Sequence, residues 1–253
     1  MTAAVREIWR HPIKAHGRER LAQVDLTAGA ALPWDRAWAV AHEAARFDEA
    51  APAWAHCRNF TRAAGSPSLM AIEAQVDEAA GRISLTHPAR PDITIDPTDA
   101  EDAKRFIAWA GPITNPGRPQ PARLVRAPDQ AMTDTDFASV SLINLASHAA
   151  VEAELGQVLS PLRWRGNLLI DGLAPWAEMD WPGKTLRLGE VELEVVEPIV
   201  RCMATTANPE TGERDADTLG ALKSGWGHQI CGVYARVTRG GRLSEGSTIE
   251  VLD

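Results

Sequence analysis

Apolar and polar positions alternate along much of the first hundred residues, and this period of two predicts short β-strands. Ala22, Val24 and Leu26 alternate with polar residues, as expected for a strand with one buried face. A second alternating run, 70–76, is followed by a turn signal at 80–81 and another short apolar run, which together predict a hairpin. The predicted strands of this half are residues 22–26, 38–40, 70–76, 83–85 and 93–95.

A helical period interrupts the strands near residue 100. The pattern predicts a helix that begins at Thr98 or Asp99, because acidic residues fill its first turn and apolar residues then recur every three to four positions up to Ala110. The helix is expected to end at Gly111-Pro112. The proline- and glycine-rich stretch that follows, 111–121, is interpreted as the connector between two halves of the chain.

Short strands also dominate the second half. Ser147 is predicted to cap the N-terminus of a short helix that carries Val151 and Leu155 on one face. Residues 217–223 are predicted to form one or two helical turns. Many short strands with few helices are typical of a β-barrel or a β-sandwich, and the sequence contains neither a GxGxxG nor a Walker motif. The predicted strands are residues 140–143, 168–170, 186–188, 191–195, 232–237 and 249–252.

Composition narrows the class of protein. The chain has 253 residues, of which 45% are hydrophobic and 24% charged, as in ordinary globular proteins. No apolar run approaches the ~18–20 residues of a membrane span, and the N-terminal residues lack a signal-peptide pattern. We therefore expect a cytoplasmic protein without membrane contact. A formal net charge of −8 argues against nucleic-acid binding, which needs a basic face.

The strongest candidate chemistry lies at residues 200–212. Arg201 directly precedes Cys202, and an adjacent guanidinium favours the thiolate, which is both the nucleophile and the soft metal ligand. Thr205 and Thr206 add hydroxyl groups, and a turn follows them. By itself a single cysteine is more often a small buried apolar residue than a ligand. Cys57, Cys202 and Cys231 are widely spaced, which favours reduced thiols over a disulfide framework.

The segment RCMATTANPETG, residues 201–212, resembles the signature of the MOSC domain, the family of molybdenum-cofactor sulfurase C-terminal domains. The resemblance extends to the two-domain group that includes the mitochondrial amidoxime-reducing component and its bacterial relatives. Four further segments resemble this group in the same order along the chain. They are HPIKAHG at 11–17, DRAWAV at 35–40, SVSLINLAS at 139–147 and RWRGNLLIDG at 163–172.

The resemblance implies a mainly β protein (α+β, with a few short helices) in which an N-terminal MOSC β-barrel domain, 1–111, precedes a MOSC β-barrel domain, 112–253. It also implies a molybdenum cofactor, a molybdopterin that holds molybdenum, in the cleft between the two domains. Cys202 would be the metal ligand and the catalytic residue. The implied cofactor-binding residues are Lys14, Arg36, Ser147, Arg165, Asn167, Arg201, Thr205 and Thr206.

The resemblance further implies an oxidoreductase that reduces N-hydroxylated small molecules, or N-oxides and S-oxides; pyridoxal phosphate is not expected. Electrons would come from separate donor proteins of the flavin and iron–sulfur or haem type, because the chain ends at Asp253 without the fused iron–sulfur domain of some relatives. Two alternatives stay open. A sulfur carrier or transferase would hold a persulfide on Cys202, and a non-catalytic carrier would bind the cofactor without turnover.

Two departures and one competing site qualify this interpretation. Ala15 stands where many relatives have serine, which implies the loss of one hydrogen bond to the cofactor, and Asn144 stands where some relatives have serine. The pairs His56-Cys57 and His228-x-x-Cys231 could together supply four zinc ligands. The pairs lie far apart in sequence and lack the usual short spacing, so zinc is the less favoured hypothesis.

Overall fold

The computed structural model describes residues 2–128 and 130–252, so the predicted domain limits at Met1 and Asp253 lie outside the described residues. Within these ranges the fold is mainly β with three short α-helices, which confirms the predicted class. None of these helices is long and apolar enough to cross a membrane. The strands are β1 (Ala4–Arg10), β2 (Glu19–Leu21), β3 (Gln23–Leu26), β4 (Ala39–His42), β5 (Glu73–Asp77), β6 (Arg82–His87), β7 (Arg90–Ile95), β8 (Pro121–Val125), β9 (Val140–Asn144), β10 (Leu168–Asp171), β11 (Thr185–Leu188), β12 (Val191–Val200), β13 (Ile230–Arg239), β14 (Gly241–Ser244) and β15 (Ile249–Leu252), and the helices are α1 (Ala100–Ala110), α2 (Leu145–Leu155) and α3 (Thr218–Trp226).

An eight-stranded sheet forms the body of the second half, in the order β15-β11-β12-β13-β9-β10-β1-β2. Its strands pair antiparallel except for β9 and β10, which are parallel. The first strand of the chain belongs to this sheet, because β1 pairs with β10 on one side and β2 on the other. The segment that follows β1 is therefore attached directly to the sheet of the second half.

The first half has its own core beneath a three-stranded sheet, β5-β6-β7, and a two-stranded ladder of β4 and β8. Helix α1 packs its apolar face on this core through Phe106 and Trp109. Asp99 caps the helix by accepting hydrogen bonds from the backbone N–H groups of Glu101 and Asp102, which confirms the predicted start. Strand β8 lies beyond the connector and still pairs with β4 of the first half.

Two predictions about elements were wrong. Ser147 does not cap α2: Asn144, at the end of β9, accepts from the N–H of Ala146, and Ser147 lies in the first turn of the helix. The predicted strand 70–76 begins only at Glu73, because Pro67–Ala71 forms a 3₁₀ helix instead. Proline suits the first position of a helix, and the buried residues Leu69, Met70 and Ala71 are consecutive, unlike those of a strand with one buried face.

Candidate functional site

Cys202 lies where β12 ends and a 3₁₀ turn, Met203–Thr206, begins, and its side chain is exposed. Apolar neighbours flank it, with Val200 72% exposed and Met203 45% exposed. The other two cysteines differ in setting. Cys57 is half-buried, whereas Cys231 is fully buried and its pKa is raised by burial to about 12. Cys202 is therefore the thiol best placed to meet a ligand from outside.

Two threonines fix the backbone of the turn that follows Cys202. The Thr205 hydroxyl donates to the carbonyl of Cys202 at 3.1 Å and lies 2.8 Å from the Thr218 hydroxyl at the start of α3. The Thr206 hydroxyl donates to the carbonyl of Met203 at 2.8 Å. Both threonine side chains are buried, and their hydrogen bonds fix the backbone of the turn and thereby the position of Cys202.

Arg201 is anchored beneath the same turn. Its Nε donates to the carbonyl of Cys231 at 2.7 Å, its Nη1 donates to the carbonyl of Trp164 at 2.9 Å, and its guanidinium lies 5.4 Å from the centre of the Trp164 ring. The remaining nitrogen, Nη2, is buried and has no hydrogen-bond partner within residues 2–128 and 130–252. A buried donor without a partner is costly, so this nitrogen is available to an acceptor that binds here.

Arg165 has the same unusual property. It adopts a left-handed backbone conformation with φ of 51°, and its Nη2 donates to the carbonyl of Gly17 at 3.1 Å. Its Nη1 is buried without a partner in the described part of the chain. Burial and the positive charges of Arg36 and Arg18 lower the pKa of Arg165 to about 9, which leaves the guanidinium charged at pH 7.

Arg36 brings the two halves of the chain together at this point. Its Nη2 donates to the carbonyl of Arg165 at 3.0 Å, and its Nη1 pairs with Asp35. Like Arg165, it has a left-handed backbone, with φ of 49°. Strained backbone of this kind concentrates at functional sites. Burial opposes the ionisation of Asp35, but Arg36 and His11 outweigh it and hold the pKa of the carboxyl below its usual value.

Lys14 is buried next to this group and already has partners. Its Nζ donates to the carbonyl of Met132 at 2.8 Å and pairs with Asp134. The positive charges of Lys14, Arg36 and Arg165 lower the pKa of the Asp134 carboxyl, and they outweigh the opposing effect of its partial desolvation. Three of the four basic residues predicted to bind the cofactor, Lys14, Arg36 and Arg165, therefore lie around one carboxylate, Asp134, that the sequence pattern did not indicate.

Asn167 and Ser147 use their polar groups inside the protein. The Asn167 side-chain oxygen accepts from the N–H and the hydroxyl of Ser141 at 3.0 and 2.8 Å, and its Nδ2 donates to the carbonyl of Trp9 at 3.1 Å. The Ser147 hydroxyl donates to Glu178 at 2.9 Å and accepts from a backbone N–H at 2.8 Å. In this structure both residues connect secondary-structure elements.

The single tyrosine of the chain was missed at the level of sequence. Tyr234 lies on β13, and burial raises the pKa of its hydroxyl, as does the negative charge of Asp134. The positive charges of Arg201 and Arg36 oppose this rise. Tyr234 therefore lies close enough to Arg201 and Arg36 to feel their charges. Its sequence neighbours gave no sign of this position, because the contacts come from distant segments.

The described residues hold no cluster of three or more His, Cys, Asp or Glu side chains arranged for a metal ion. The site offers a different donor set, in which one exposed, soft thiol lies near several buried cationic groups. Two of these groups, Arg165 and Arg201, each have a buried nitrogen without a hydrogen-bond partner among the residues that the structure describes. This set fits an anionic cofactor that carries a phosphate and is ligated through one thiolate.

Family models match nearly the whole chain. The MOSC N-terminal beta barrel domain matches residues 2–120, and the MOSC domain matches residues 129–250. Mitochondrial amidoxime-reducing component 1 from Homo sapiens is 34% identical over 115 residues, which cover 45% of this chain and 33% of that protein. Molybdenum cofactor sulfurase from Caenorhabditis elegans is 32% identical over 126 residues, which cover 47% of this chain and 17% of that protein. The chain thus spans about a third or less of the length of these curated relatives.

Among solved structures, the YUAD protein from Bacillus subtilis has a similar fold. It superposes with a TM-score of 0.50 at 12% sequence identity and covers 99% of this chain and 96% of its own. A likeness at this identity concerns the fold alone. Together with the two family models, it leads to one conclusion: the chain belongs to the MOSC family, in the two-domain form in which an N-terminal MOSC β-barrel domain precedes the MOSC domain.

Proposed function

We propose that this protein binds a molybdenum cofactor and reduces N-hydroxylated compounds, or N-oxides and S-oxides, with electrons from separate proteins. The observation that carries the proposal is the exposed thiol of Cys202, which follows Arg201 in the chain, together with a buried guanidinium nitrogen on each of Arg201 and Arg165 that has no partner among the described residues. Arg201 reaches the neighbourhood of Arg165 through its hydrogen bond to the carbonyl of Trp164. A relative named for amidoxime reduction supports the choice of substrate class. When bound, the cofactor supplies the two-electron chemistry.

Different residues of the site would hold the metal and the anionic parts of the cofactor. Cys202 provides the thiolate that would ligate molybdenum. Arg165 and Arg201 offer free donors to anionic atoms, because their unpartnered nitrogens are already buried and charged. Lys14 pairs with Asp134 and Arg36 pairs with Asp35. We expect both cations to raise the local positive potential, and to bind the phosphate group of the cofactor when it displaces these carboxylates.

The same arrangement leaves one side of the thiol open. Val200 and Met203 form an apolar rim around Cys202, which suits the carbon skeleton of a small organic substrate. The 253 residues contain three cysteines, fewer than the four that a cysteine-ligated iron–sulfur cluster needs. We therefore propose external donors of the flavin and iron–sulfur or haem type.

The exposure of Cys202 also favours a second candidate function. An accessible thiolate can carry a persulfide and deliver its sulfur, and one relative is named as a molybdenum cofactor sulfurase. In that role Cys202 would act in group transfer without a resident metal. A third candidate, a carrier that binds the cofactor without turnover, would use the same cationic residues.

A reduction assay separates these candidates. With reduced viologen as the electron source, wild type loaded with cofactor should consume benzamidoxime, whereas Cys202→Ser should not, because a hydroxyl is a poor ligand for a soft metal. Cys57→Ser is the matched control and should keep activity. NADH alone should not support turnover. If loaded wild type is inactive on N-hydroxylated, N-oxide and S-oxide substrates alike, the reductase proposal is wrong and the carrier takes its place.

A further inference from the structure

The loop that follows Cys202 is tied to the first half of the chain by one guanidinium group. Arg214 Nη1 donates to the carbonyl of Met203 at 2.6 Å and pairs with the Thr206 hydroxyl, both within the turn next to Cys202. Arg214 Nη2 donates to the carbonyl of Ala64, in the first half, at 2.7 Å. A guanidinium presents donors on two separate terminal nitrogens in a fixed planar fork, whereas the three donors of an ammonium group share one nitrogen.

A glycine in the same loop touches the first half even more closely. Gly212 is buried and has φ of 72°, a conformation that favours glycine. A Cβ atom added to Gly212 would lie 2.6 Å from Ser68 Cα and 2.9 Å from the Ser68 carbonyl oxygen. Backbone cannot move aside as a flexible side chain can, so only glycine fits at this contact.

Apolar packing joins the two halves at the same place. Ala207 of the loop is buried in a small cluster with Ala63 and Met70 of the first half, and Ala204 packs against it. Three independent kinds of contact therefore converge on one segment: a hydrogen-bonded guanidinium, a close backbone approach and a small apolar cluster. None of them uses Cys202 or the arginines of the cofactor site.

We propose that Gly212 and Arg214 form a clasp with Ala64 and Ser68, and that this clasp holds Cys202 in register with the cationic residues of the first half. Arg36 and Lys14 come from the first half and Cys202 from the second, so a loose loop would separate the thiol from these anion-binding groups. Gly212 and Arg214 are positioning residues, which act through the loop. The clasp itself is a structural property; its effect on the cofactor rests on the proposed function.

The first test measures position without any cofactor. Spin labels on Cys202 and on Ala79→Cys, an exposed site in the first half, are placed in the Cys57→Ser background. The distance distribution should be narrow in the otherwise unchanged protein and broader in Gly212→Ala and Arg214→Ala. Arg214→Lys should be intermediate, since the single nitrogen of lysine cannot occupy the positions of both Nη1 and Nη2. Gly29→Ala is the control: its φ of 77° matches, but an added Cβ meets nothing within 4 Å.

The second test measures cofactor retention in the same variants. Gly212→Ala and Arg214→Ala should lose bound molybdenum about tenfold faster than wild type, a change that corresponds to ~1.4 kcal/mol. Gly29→Ala should lose it at the wild-type rate. Equally narrow distance distributions in all variants would overturn the clasp. Broader distributions in a protein that never holds molybdenum would leave the clasp intact and refute the proposed function instead.

Discussion

Arg165 and Arg201 each keep one buried guanidinium nitrogen without a protein partner in the described ranges. A buried donor left unsatisfied costs about 1–3 kcal/mol, and more when it is charged. Arg165 also holds a left-handed backbone and a lowered pKa, both of which are unfavourable in the absence of a ligand. A hydrogen-bond acceptor at these two nitrogens would recover this free energy, and an anionic acceptor would recover the most.

Replacement of Arg165 should therefore separate binding from stability. In Arg165→Asn, whose side chain tolerates a left-handed backbone, we expect cofactor affinity to fall about tenfold or more, the loss of a charge-assisted contact of ~1.5–3 kcal/mol. The free energy of unfolding of the cofactor-free protein should change little, because the loss of the hydrogen bond from Arg165 Nη2 to Gly17 is offset by the removal of the buried Nη1, which has no partner among the described residues. Calorimetric titration and denaturant unfolding measure the two quantities.

Arg36→Ala should also weaken cofactor binding, since it removes a second cationic contact. Arg126→Ala is the control, because Arg126 is exposed and its guanidinium lies 5.1 Å from the centre of the Trp38 ring, outside the cationic group. Equal affinity in the Arg36, Arg165 and Arg126 variants would mean that the anion binds elsewhere.

At the scale of elements, the local pattern predicted what depends on local physics. The period of two predicted β6, β7 and the hairpin of β11 and β12, and Asp99 with its acidic turn predicted α1. The prediction of Ser147 as the N-cap of α2 was wrong because serine and asparagine are both good caps. Asn144 is the cap because β9 ends there. Likewise, Met70 is buried within a 3₁₀ helix, and an apolar residue at this position looks the same in the sequence as one in a strand.

The site was predictable only in part, for a similar reason. The basic residues Lys14, Arg36 and Arg165 stood out through their resemblance to the family, and the fold brings them together. Asp134 and Arg214 act through partners far away in sequence, which no spacing rule reveals. The roles of such residues depend on how the halves meet.

The segment between β1 and β2 predicts a pH dependence of stability. Burial, with the charges of Arg165 and Arg36, lowers the pKa of His11 to about 3, and burial lowers the pKa of His16 from 6.5 to about 4. The unfolded chain takes up these protons near pH 6.5, whereas the folded chain does not. Stability is therefore complete above pH 6.5 and falls as the pH drops towards 4.

Each of these histidines should contribute a slope of ~1.4 kcal/mol per pH unit between pH 6 and pH 4.5. Denaturant unfolding of wild type and His16→Gln over this range measures the difference in slope. Removal of one such group should flatten the curve by about that amount, whereas His56→Gln, at an exposed position, should leave it unchanged. Parallel curves for wild type and His16→Gln would contradict the neutral, buried state of His16.

At the scale of the whole molecule, the two halves are interlocked. Strand β1 belongs to the sheet of the second half, and Arg36 bonds to the backbone of Arg165 across the boundary. The loop that carries Gly212 and Arg214 in the second half contacts Ser68 and Ala64 of the first half. A site that draws its thiol from one half and much of its charge from the other depends on this interlocking.

The most direct test of the account is the molybdenum content of freshly purified protein, measured together with the mass of Cys202. Wild type and Cys57→Ser should retain about one molybdenum per chain, with Cys202 free of added sulfur, because a single thiolate site binds a single metal. Cys202→Ser should retain none while keeping the fold. Metal-free wild type with a persulfide on Cys202, or equal molybdenum in Cys202→Ser, would contradict the assignment of Cys202 as the ligand.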